Sequence, residues 1–170
     1  MGCQRLTMIR ESLKSIPAFP LPETYSLRRY QPGDETNWTH IHLQADDLNT
    51  ITPQLFSQQF GPDPALLAER QFYLVTATGS VVGTGTAWFN SDSQGRDFGR
   101  VHWVAILPEY QGLGLAKPLM TAICNRLSDL GHERAYLTTS SARIKAIRLY
   151  TRFGFKPLLG VGSLELEVGI

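Results

Sequence analysis

The segment 107–117 carries the residues whose spacing most directly indicates chemistry. A strand-like run, 101–107, leads into it, and an amphipathic helix pattern begins inside it at Ala116. Two glycines, Gly112 and Gly114, lie in the turn between these patterns, so no side chain there would keep a ligand away. The first turn of a helix has backbone N–H groups without an intrahelical partner and a partial positive charge. The segment therefore predicts a site for an anion, most simply a phosphate.

Three phosphate-binding patterns compete for this turn. A P-loop requires Gly-Lys-Ser/Thr, and Gly114 is not followed by lysine, so that pattern fails. A dinucleotide fingerprint requires a small residue where the chain has Lys117. It also requires an acidic residue about 20 residues on, and Asp129 falls inside the predicted helix, so this pattern fits weakly. The third pattern, Gln/Arg-x-x-Gly-x-Gly/Ala, is satisfied by Gln111, Gly114 and Ala116.

This third pattern resembles the pyrophosphate loop of the GNAT superfamily of N-acetyltransferases, which binds acetyl-coenzyme A. A second stretch, 143–155, looks like the superfamily's Asn-x-x-Ala-x-x-Leu-Tyr-x-x-x-Gly-Phe segment. The matching residues are Ala146, Leu149, Tyr150, Gly154 and Phe155. Two motifs in the right order are more specific than either one, and the resemblance covers roughly residues 25–168.

The resemblance implies how acetyl-coenzyme A would be bound. In this superfamily the strand before the glycine turn and the strand after its helix splay apart, and the pantetheine arm lies in that cleft. The main chain of Val104, Ala105 and Ile106 would then contact the pantetheine and the thioester. The residues implied to bind the pyrophosphate are Gln111, Gly112, Leu113, Gly114, Leu115, Ala116 and Lys117. Arg143 replaces the family's asparagine; it could reach a coenzyme A phosphate or an acidic acceptor, or it could face solvent.

The implied reaction is direct attack of a neutral amine on the acetyl thioester in a ternary complex. Tyr150 matches the family's tyrosine, whose phenol can protonate the departing coenzyme A sulfur. The alternative is that Tyr150 packs between helix and sheet. Backbone N–H groups near Ala105 or Ile106 would stabilise the oxyanion.

The general base is less evident, because Arg100 and Thr138 occupy the positions where family members place a glutamate. His102 is predicted to share a strand face with Val104 and Ile106, and its type has the intrinsic pKa to accept a proton near neutrality. A packed core histidine is the alternative. Glu109 at the turn is interpreted as a solvated charge. Asp46 and Asp47, after the first helix, could line the acceptor pocket or could belong to a helix-end surface. A water chain, or capture of amine that is already neutral, would also serve.

The elements that must position these residues follow from hydropathy and turn signals. The expected elements are a first strand at 25–30, a helix capped by Asp34, helix starts at Thr52-Pro53 and Asp63-Pro64, a hairpin of 72–77 with 81–89, a mobile surface loop at 91–99, strand 101–107, helix 116–130, strand 134–139, a helix in 143–155 and a final strand at 163–168. They predict a mixed α/β (α+β) fold. Its sheet would have six or seven mainly antiparallel strands, with one parallel pair around the Gly114 helix and helices on both faces.

Length and composition place further bounds. The 170 residues suit one domain, predicted at 24–170, after an N-terminal extension at 1–23 that contains three prolines. A formal net charge of +1 argues against a nucleic-acid partner, and no apolar stretch is long enough for a membrane span. The two cysteines, Cys3 and Cys124, are too few for a disulfide framework and indicate a reducing, cytoplasmic setting.

The prediction is an acetyl-coenzyme A-dependent N-acetyltransferase, an acyltransferase acting on a small-molecule or peptide amine, with no metal site. The family resemblance makes a homodimer possible. A non-catalytic acyl-coenzyme A-binding or regulatory module is the alternative. A nucleotide-binding protein that uses the same glycine turn is a more remote one.

Overall fold

A computed structural model describes residues 4–91 and 97–159 of the chain. Within these ranges it has seven strands and five α-helices. The elements are β1 (Arg5–Arg10), β2 (Tyr25–Arg29), α1 (Asp34–Ala45), α2 (Leu55–Phe60), α3 (Pro64–Arg70), β3 (Gln71–Thr76), β4 (Val81–Ser91), β5 (Asp97–Ile106), α4 (Ala116–Asp129), β6 (Ala135–Ser140), α5 (Ile144–Arg152) and β7 (Lys156–Pro157). The hydrogen-bonded strand order is β2-β3-β4-β5-β6-β1-β7. The predicted mixed α/β fold with a mostly antiparallel sheet is confirmed.

The chain divides into two compact units. The first comprises Met1–Pro17, Ala87–His102 and Thr121–Ile170, as far as these residues are described. The second comprises Ala18–Thr86 and Trp103–Met120. Strands β4 and β5 and helix α4 contribute residues to both units.

In the first unit, strand β1 lies between β6 and β7 and is antiparallel to both. Met8 of β1 is fully buried and pairs with Leu137 of β6. The prediction that the first strand begins at Tyr25 was wrong, because a strand precedes the prolines of the N-terminal segment. The division into an extension at 1–23 and a domain at 24–170 stays a prediction.

The parallel strand pair predicted around the glycine helix is also confirmed, because β5 and β6 run parallel. Their register is Gly99 with Ala135 and Arg100 with Tyr136. A Cβ at Gly99 would lie 3.1 Å from Leu127 of α4. This face of β5 therefore packs against α4, and the residue type that permits the close approach is glycine.

The second unit is built on the predicted hairpin of β3 and β4, with β2 antiparallel to β3. Helix α1 begins at Asp34, but Asp34 is not its cap: Gly33 precedes the helix with φ 100° and no side-chain cap. The Asp34 carboxylate instead accepts hydrogen bonds from Arg28, at 2.6 and 2.9 Å. The prediction of an Asp34 cap was wrong because the salt bridge engages that carboxylate.

The remaining boundaries depart from prediction only locally. Asp63 caps α3 as expected, accepting from Ala65 and Leu66 N–H, whereas α2 begins after Gln54 rather than at Thr52. The predicted loop at 91–99 was wrong at both ends, because Ser91 belongs to β4 and Asp97 already belongs to β5; its middle, 92–96, lies outside the described residues. The predicted strand at 163–168 lies outside the described residues.

Two further observations concern α4 and the helices in general. Cys124 of α4 is fully buried, and burial raises the pKa of its thiol to about 12, as suits a core thiol. No helix in the described ranges has both the length and the apolar character needed to cross a bilayer.

Candidate active site

The glycine turn after β5 has the backbone shape that its two glycines indicate. Gly112 and Gly114 have φ 77° and 78°, in the left-handed region that glycine adopts without strain. A Cβ at either position would meet no atom within 4 Å. The space beside both residues is therefore open, and the requirement for glycine is conformational. Gln111, just before them, donates from Nε2 to the carbonyl of Ile106 at 2.8 Å and ties the turn to the end of β5.

This turn leaves a row of main-chain donors available. Within the described ranges, no backbone N–H from Leu113 to Lys117 donates a hydrogen bond to the chain. The Leu115 side chain is 1% exposed and anchors the turn, whereas Leu113 is 55% exposed. Because α4 starts at Ala116, its positive dipole end adds to these donors. The arrangement fits an anion such as a pyrophosphate.

The strand segment 104–106 is held by a close backbone approach. A Cβ at Gly83 would lie 3.2 Å from Cγ1 of Ile106 and 3.3 Å from the carbonyl oxygen of Ala105. Val104 and Ala105 remain partly exposed, and Ile106 is buried. Main-chain recognition of a ligand by this segment would therefore depend on Gly83, which the sequence analysis did not single out.

Lys117 is partly buried at the start of α4. Its Nζ lies 5.5 Å from the ring centroid of Phe19, so the ammonium contacts an aromatic face within the second unit. Its backbone N–H remains one of the donors described above.

Trp103 is a further residue that sequence reasoning missed. Its φ is 50°, an unusual backbone conformation for a bulky residue within a strand. Its Nε1 donates to Gln59 Oε1 at 2.9 Å. The indole also makes edge contacts with Trp38 and His42, at ring-centroid distances of 5.2 and 5.0 Å. No sequence signal marks a left-handed tryptophan, because nearly all residues with this backbone are glycine or asparagine.

This conformation corrects an argument about His102. The prediction that His102 shares a face with Val104 and Ile106 assumed regular alternation, and the left-handed Trp103 interrupts it. His102 itself is buried, at 8% exposure, on the part of β5 that belongs to the first unit. Its assignment as the general base stays a prediction.

Tyr150 lies on α5 in the first unit and is partly exposed. Burial raises the pKa of its phenol, and the positive charge of Arg143 lowers it by less. A raised pKa keeps the phenol protonated at neutral pH, which a proton donor requires. Arg143 directly precedes α5 and is half-buried.

The acidic residues that the sequence analysis considered beside His102 lie at a helix end or are exposed. Asp46 accepts hydrogen bonds from Leu48 and Asn49 N–H at 3.0 Å, as expected for a carboxylate that closes a helix end. Asp47 and Glu109 are exposed. Within residues 4–91 and 97–159, no cluster of three or more His, Cys, Asp or Glu side chains could hold a metal ion.

Comparison with known proteins identifies the class. The family model described as "Acetyltransferase (GNAT) family" matches residues 27–155. The mycothiol acetyltransferase of Thermobispora bispora is 30% identical over 158 residues, covering 87% of this chain and 52% of the relative. That of Pseudarthrobacter chlorophenolicus is 32% identical over 151 residues, covering 82% and 45%. The chain belongs to the acetyltransferase (GNAT) family.

Solved structures agree at the level of the fold. A GCN5-related N-acetyltransferase from Sphaerobacter thermophilus superposes with a TM-score of 0.69 at 23% identity, covering 91% of this chain and 48% of that chain. The chain spans about half the length of the two mycothiol acetyltransferases.

Proposed function

We propose that this protein is an N-acetyltransferase that transfers an acetyl group from acetyl-coenzyme A to a primary amine. The observation that carries the proposal is the row of unused N–H groups at Leu113–Lys117, ahead of a helix and beside two left-handed glycines. Membership of the acetyltransferase family supports the same ligand.

The donor would be held by two main-chain segments. The pyrophosphate would accept hydrogen bonds from the turn at Gln111–Lys117, and the pantetheine and thioester would contact the main chain of Val104–Ile106. Arg143 would add a positive charge for a coenzyme A phosphate. Recognition mostly by the main chain would make a shape-defining glycine more important here than a particular side chain.

Catalysis would proceed by direct attack. The acceptor nitrogen forms a bond to the acetyl carbonyl carbon, the carbon–sulfur bond breaks, and the thiolate of coenzyme A takes a proton from the Tyr150 phenol. His102 would take the proton that the free ammonium loses before the attack. The proton that the nitrogen loses after the attack would restore the Tyr150 phenol. Backbone N–H groups near Ala105 or Ile106 would stabilise the oxyanion.

Two measurements test this function in sequence. Calorimetry with coenzyme A tests binding, and release of free thiol from acetyl-coenzyme A with a panel of amines tests turnover. Tyr150→Phe should lower kcat by about 100-fold with unchanged coenzyme A affinity, since a positioned acid contributes about that much or more. Tyr25→Phe is the matched control, because it removes a phenol outside the proposed machinery.

The outcomes separate the alternatives. Absence of coenzyme A binding rejects the proposal and the non-catalytic module together. Binding without thiol release for any amine favours the non-catalytic module. Full turnover in Tyr150→Phe rejects the acid assignment alone.

The two relatives above make mycothiol acetylation a second candidate. It predicts thiol release when deacetylated mycothiol is offered with acetyl-coenzyme A. A cytoplasmic location and a homodimer remain part of the proposal, and light scattering of the purified chain tests the dimer.

A further inference from the structure

Three polar side chains lie together on the face of β5 and β6, and the function proposed above does not use them. They are Arg100 of β5 with Tyr136 and Thr138 of β6, called here the Arg100 face. Arg100 and Tyr136 are neighbours in register, and the guanidinium carbon lies 5.4 Å from the Tyr136 ring centroid. Thr138 follows Tyr136 by two residues and so shares its side of the strand.

Three buried polar atoms of this face lack a well-formed hydrogen bond in the described part of the chain. They are Nε of Arg100, Oη of Tyr136 and Oγ1 of Thr138. The Tyr136 phenol does lie near Arg100 and Asn90: burial raises its pKa, and its interactions with these two residues lower it. Tyr136 is fully buried. Burying polar groups without partners costs free energy, so three on one face need a reason.

Arg10, a buried arginine in the same unit, shows how this fold satisfies a structural guanidinium. Arg10 donates from Nε to the carbonyl of Ser12 at 2.7 Å and from Nη2 to that of Lys14 at 2.8 Å. Its Nη1 donates to the carbonyl of Phe153. By contrast, burial lowers the pKa of Arg100, the Tyr136 phenol raises it by less, and the charge of Arg5 lowers it. Arg100 is therefore a cation with a like charge nearby and no carboxylate pairing with it among the described residues.

Part of this face is accessible, because Arg100 and Thr138 are partly exposed. Helix α4 packs on the opposite side of β5, where Gly99 approaches Leu127. The register pairs of β5 with β6 are Gly99 with Ala135 and Arg100 with Tyr136. The Arg100 face thus begins at the second of these pairs.

A guanidinium forms paired hydrogen bonds with a carboxylate or a phosphate, and tyrosine and threonine hydroxyls can donate to the same anion. We propose that the Arg100 face binds an anionic group of the acceptor, so that the substrate is an amine carrying a carboxylate or a phosphate. This rests on the acetyltransferase function proposed above. It also implies poor use of polyamines, because Arg5 and Arg100 repel additional positive charge.

Matched acceptors test the proposal on the full chain with saturating acetyl-coenzyme A. Glycine is compared with glycinamide, and O-phosphoethanolamine with ethanolamine. Rates are expressed per neutral amine, because the paired compounds differ in amine pKa. In at least one pair, the anionic compound should be acetylated about tenfold faster than the neutral one, or better. The pair that shows this preference tells whether the recognised group is a carboxylate or a phosphate.

Substitutions then locate the preference. Arg100→Met should raise the KM of the anionic member by at least about 30-fold, with a smaller change in kcat, and leave the neutral member unchanged. Arg100→Lys should restore part of the preference, because lysine keeps the positive charge but lacks the paired N–H donors of a guanidinium. Arg134→Met is the control: this arginine also lies over an aromatic ring, 4.2 Å from the centroid of Phe98, and its loss should not affect the preference.

Several outcomes would overturn the proposal. The first is equal use of both members of each pair, and the second is a preference that survives in Arg100→Met. The third is that Arg100→Met weakens coenzyme A binding as much as removal of the 3′-phosphate from coenzyme A does. If no acceptor of the panel is used, calorimetry with inorganic phosphate and with acetate on the coenzyme A-saturated protein decides. Binding that Arg100→Met abolishes supports the proposal, and its absence rejects it.

The two proposals fail in different ways. Loss of coenzyme A binding or of thiol release rejects the acetyltransferase function, whatever the anion measurements give. Thiol release that favours neutral amines rejects only the Arg100 face as an acceptor site.

Discussion

Two regions of this molecule are suited to anions, and they use different parts of the polypeptide. The turn at Gln111–Lys117 offers main-chain N–H groups, shaped by two glycines and a helix start. The Arg100 face offers a guanidinium and two hydroxyls. A main-chain site tolerates changes of side chain but not changes of backbone shape. A side-chain site is sensitive to the identity of its side chains and less sensitive to the local backbone shape. The comparison therefore predicts opposite patterns of sensitivity to substitution.

The largest expected effect is on the turn. Gly114→Val places a β-branched residue at φ 78°, where the strain is about 1–3 kcal/mol, so coenzyme A should bind about tenfold more weakly or worse. The matched control is Leu113→Ala, which removes an exposed side chain from the same turn and should leave the affinity unchanged. Calorimetry measures both. A loss in Leu113→Ala as large as that in Gly114→Val would break the comparison.

A smaller effect is expected on stability at the Arg100 face. Tyr136→Phe removes a buried hydroxyl that makes no well-formed hydrogen bond, so the free energy of unfolding should be unchanged or about 1 kcal/mol higher. Tyr73→Phe serves as the contrast, because the Tyr73 hydroxyl donates to Gln71 Oε1 at 2.6 Å. Its removal leaves a buried acceptor unpaired and should cost about 1–3 kcal/mol.

Urea denaturation of the two phenylalanine variants gives the answer. Equal destabilisation would show that the Tyr136 hydroxyl is engaged within the free protein. The Arg100 face would then resemble an ordinary core contact rather than a site awaiting a ligand.

The smallest expected effect is a loss of stability at high pH, which limits the pH range in which the two regions can be compared. The Cys124 thiol has an ordinary pKa of 9 and a folded-state pKa of about 12 because of its burial. The unfolded chain therefore loses this proton first, so stability is fully present below about pH 9 and declines as pH rises toward 12. Cys124→Ala should flatten the decline between pH 9 and 10, below the ordinary pKa of the buried tyrosines.

Denaturation midpoints at pH 7.5, 9 and 10 check this expectation. A decline as steep in Cys124→Ala as in the unchanged chain would assign it to other groups. Affinity and rate assays below pH 9 avoid this contribution in either case.

The sequence predicted the turn better than the Arg100 face, for a physical reason. Gly112 and Gly114 are needed because only glycine takes their backbone conformation without strain, so the residue type itself reports the shape. Arg100 is on a different strand from Tyr136 and Thr138 and lies 36 or more positions before them, and no local pattern indicates that three of their polar atoms lack a well-formed hydrogen bond. Strand register and burial have to be known first.

Prediction of the fold likewise succeeded where the signal is local and failed where it depends on distant residues. The hairpin of β3 and β4, the parallel pair and α4 each follow from local periodicity and turn residues, and they were predicted. Strand β1 was missed, because its six residues owe their strand conformation to β6, far along the chain. The left-handed Trp103 was missed as well, because its position depends on partners such as Gln59 and Trp38.

The place of β1 has a consequence for how the protein is made. Met8 pairs with Leu137, so β1 is synthesised well before the strand that completes its hydrogen bonds. At about 5–20 residues per second, it waits on the order of ten seconds on the ribosome. The hairpin of β3 and β4 needs no such wait, since Gln71 pairs with Thr86. We expect the second unit to begin folding during translation, and the first to close only after β6 has left the exit tunnel.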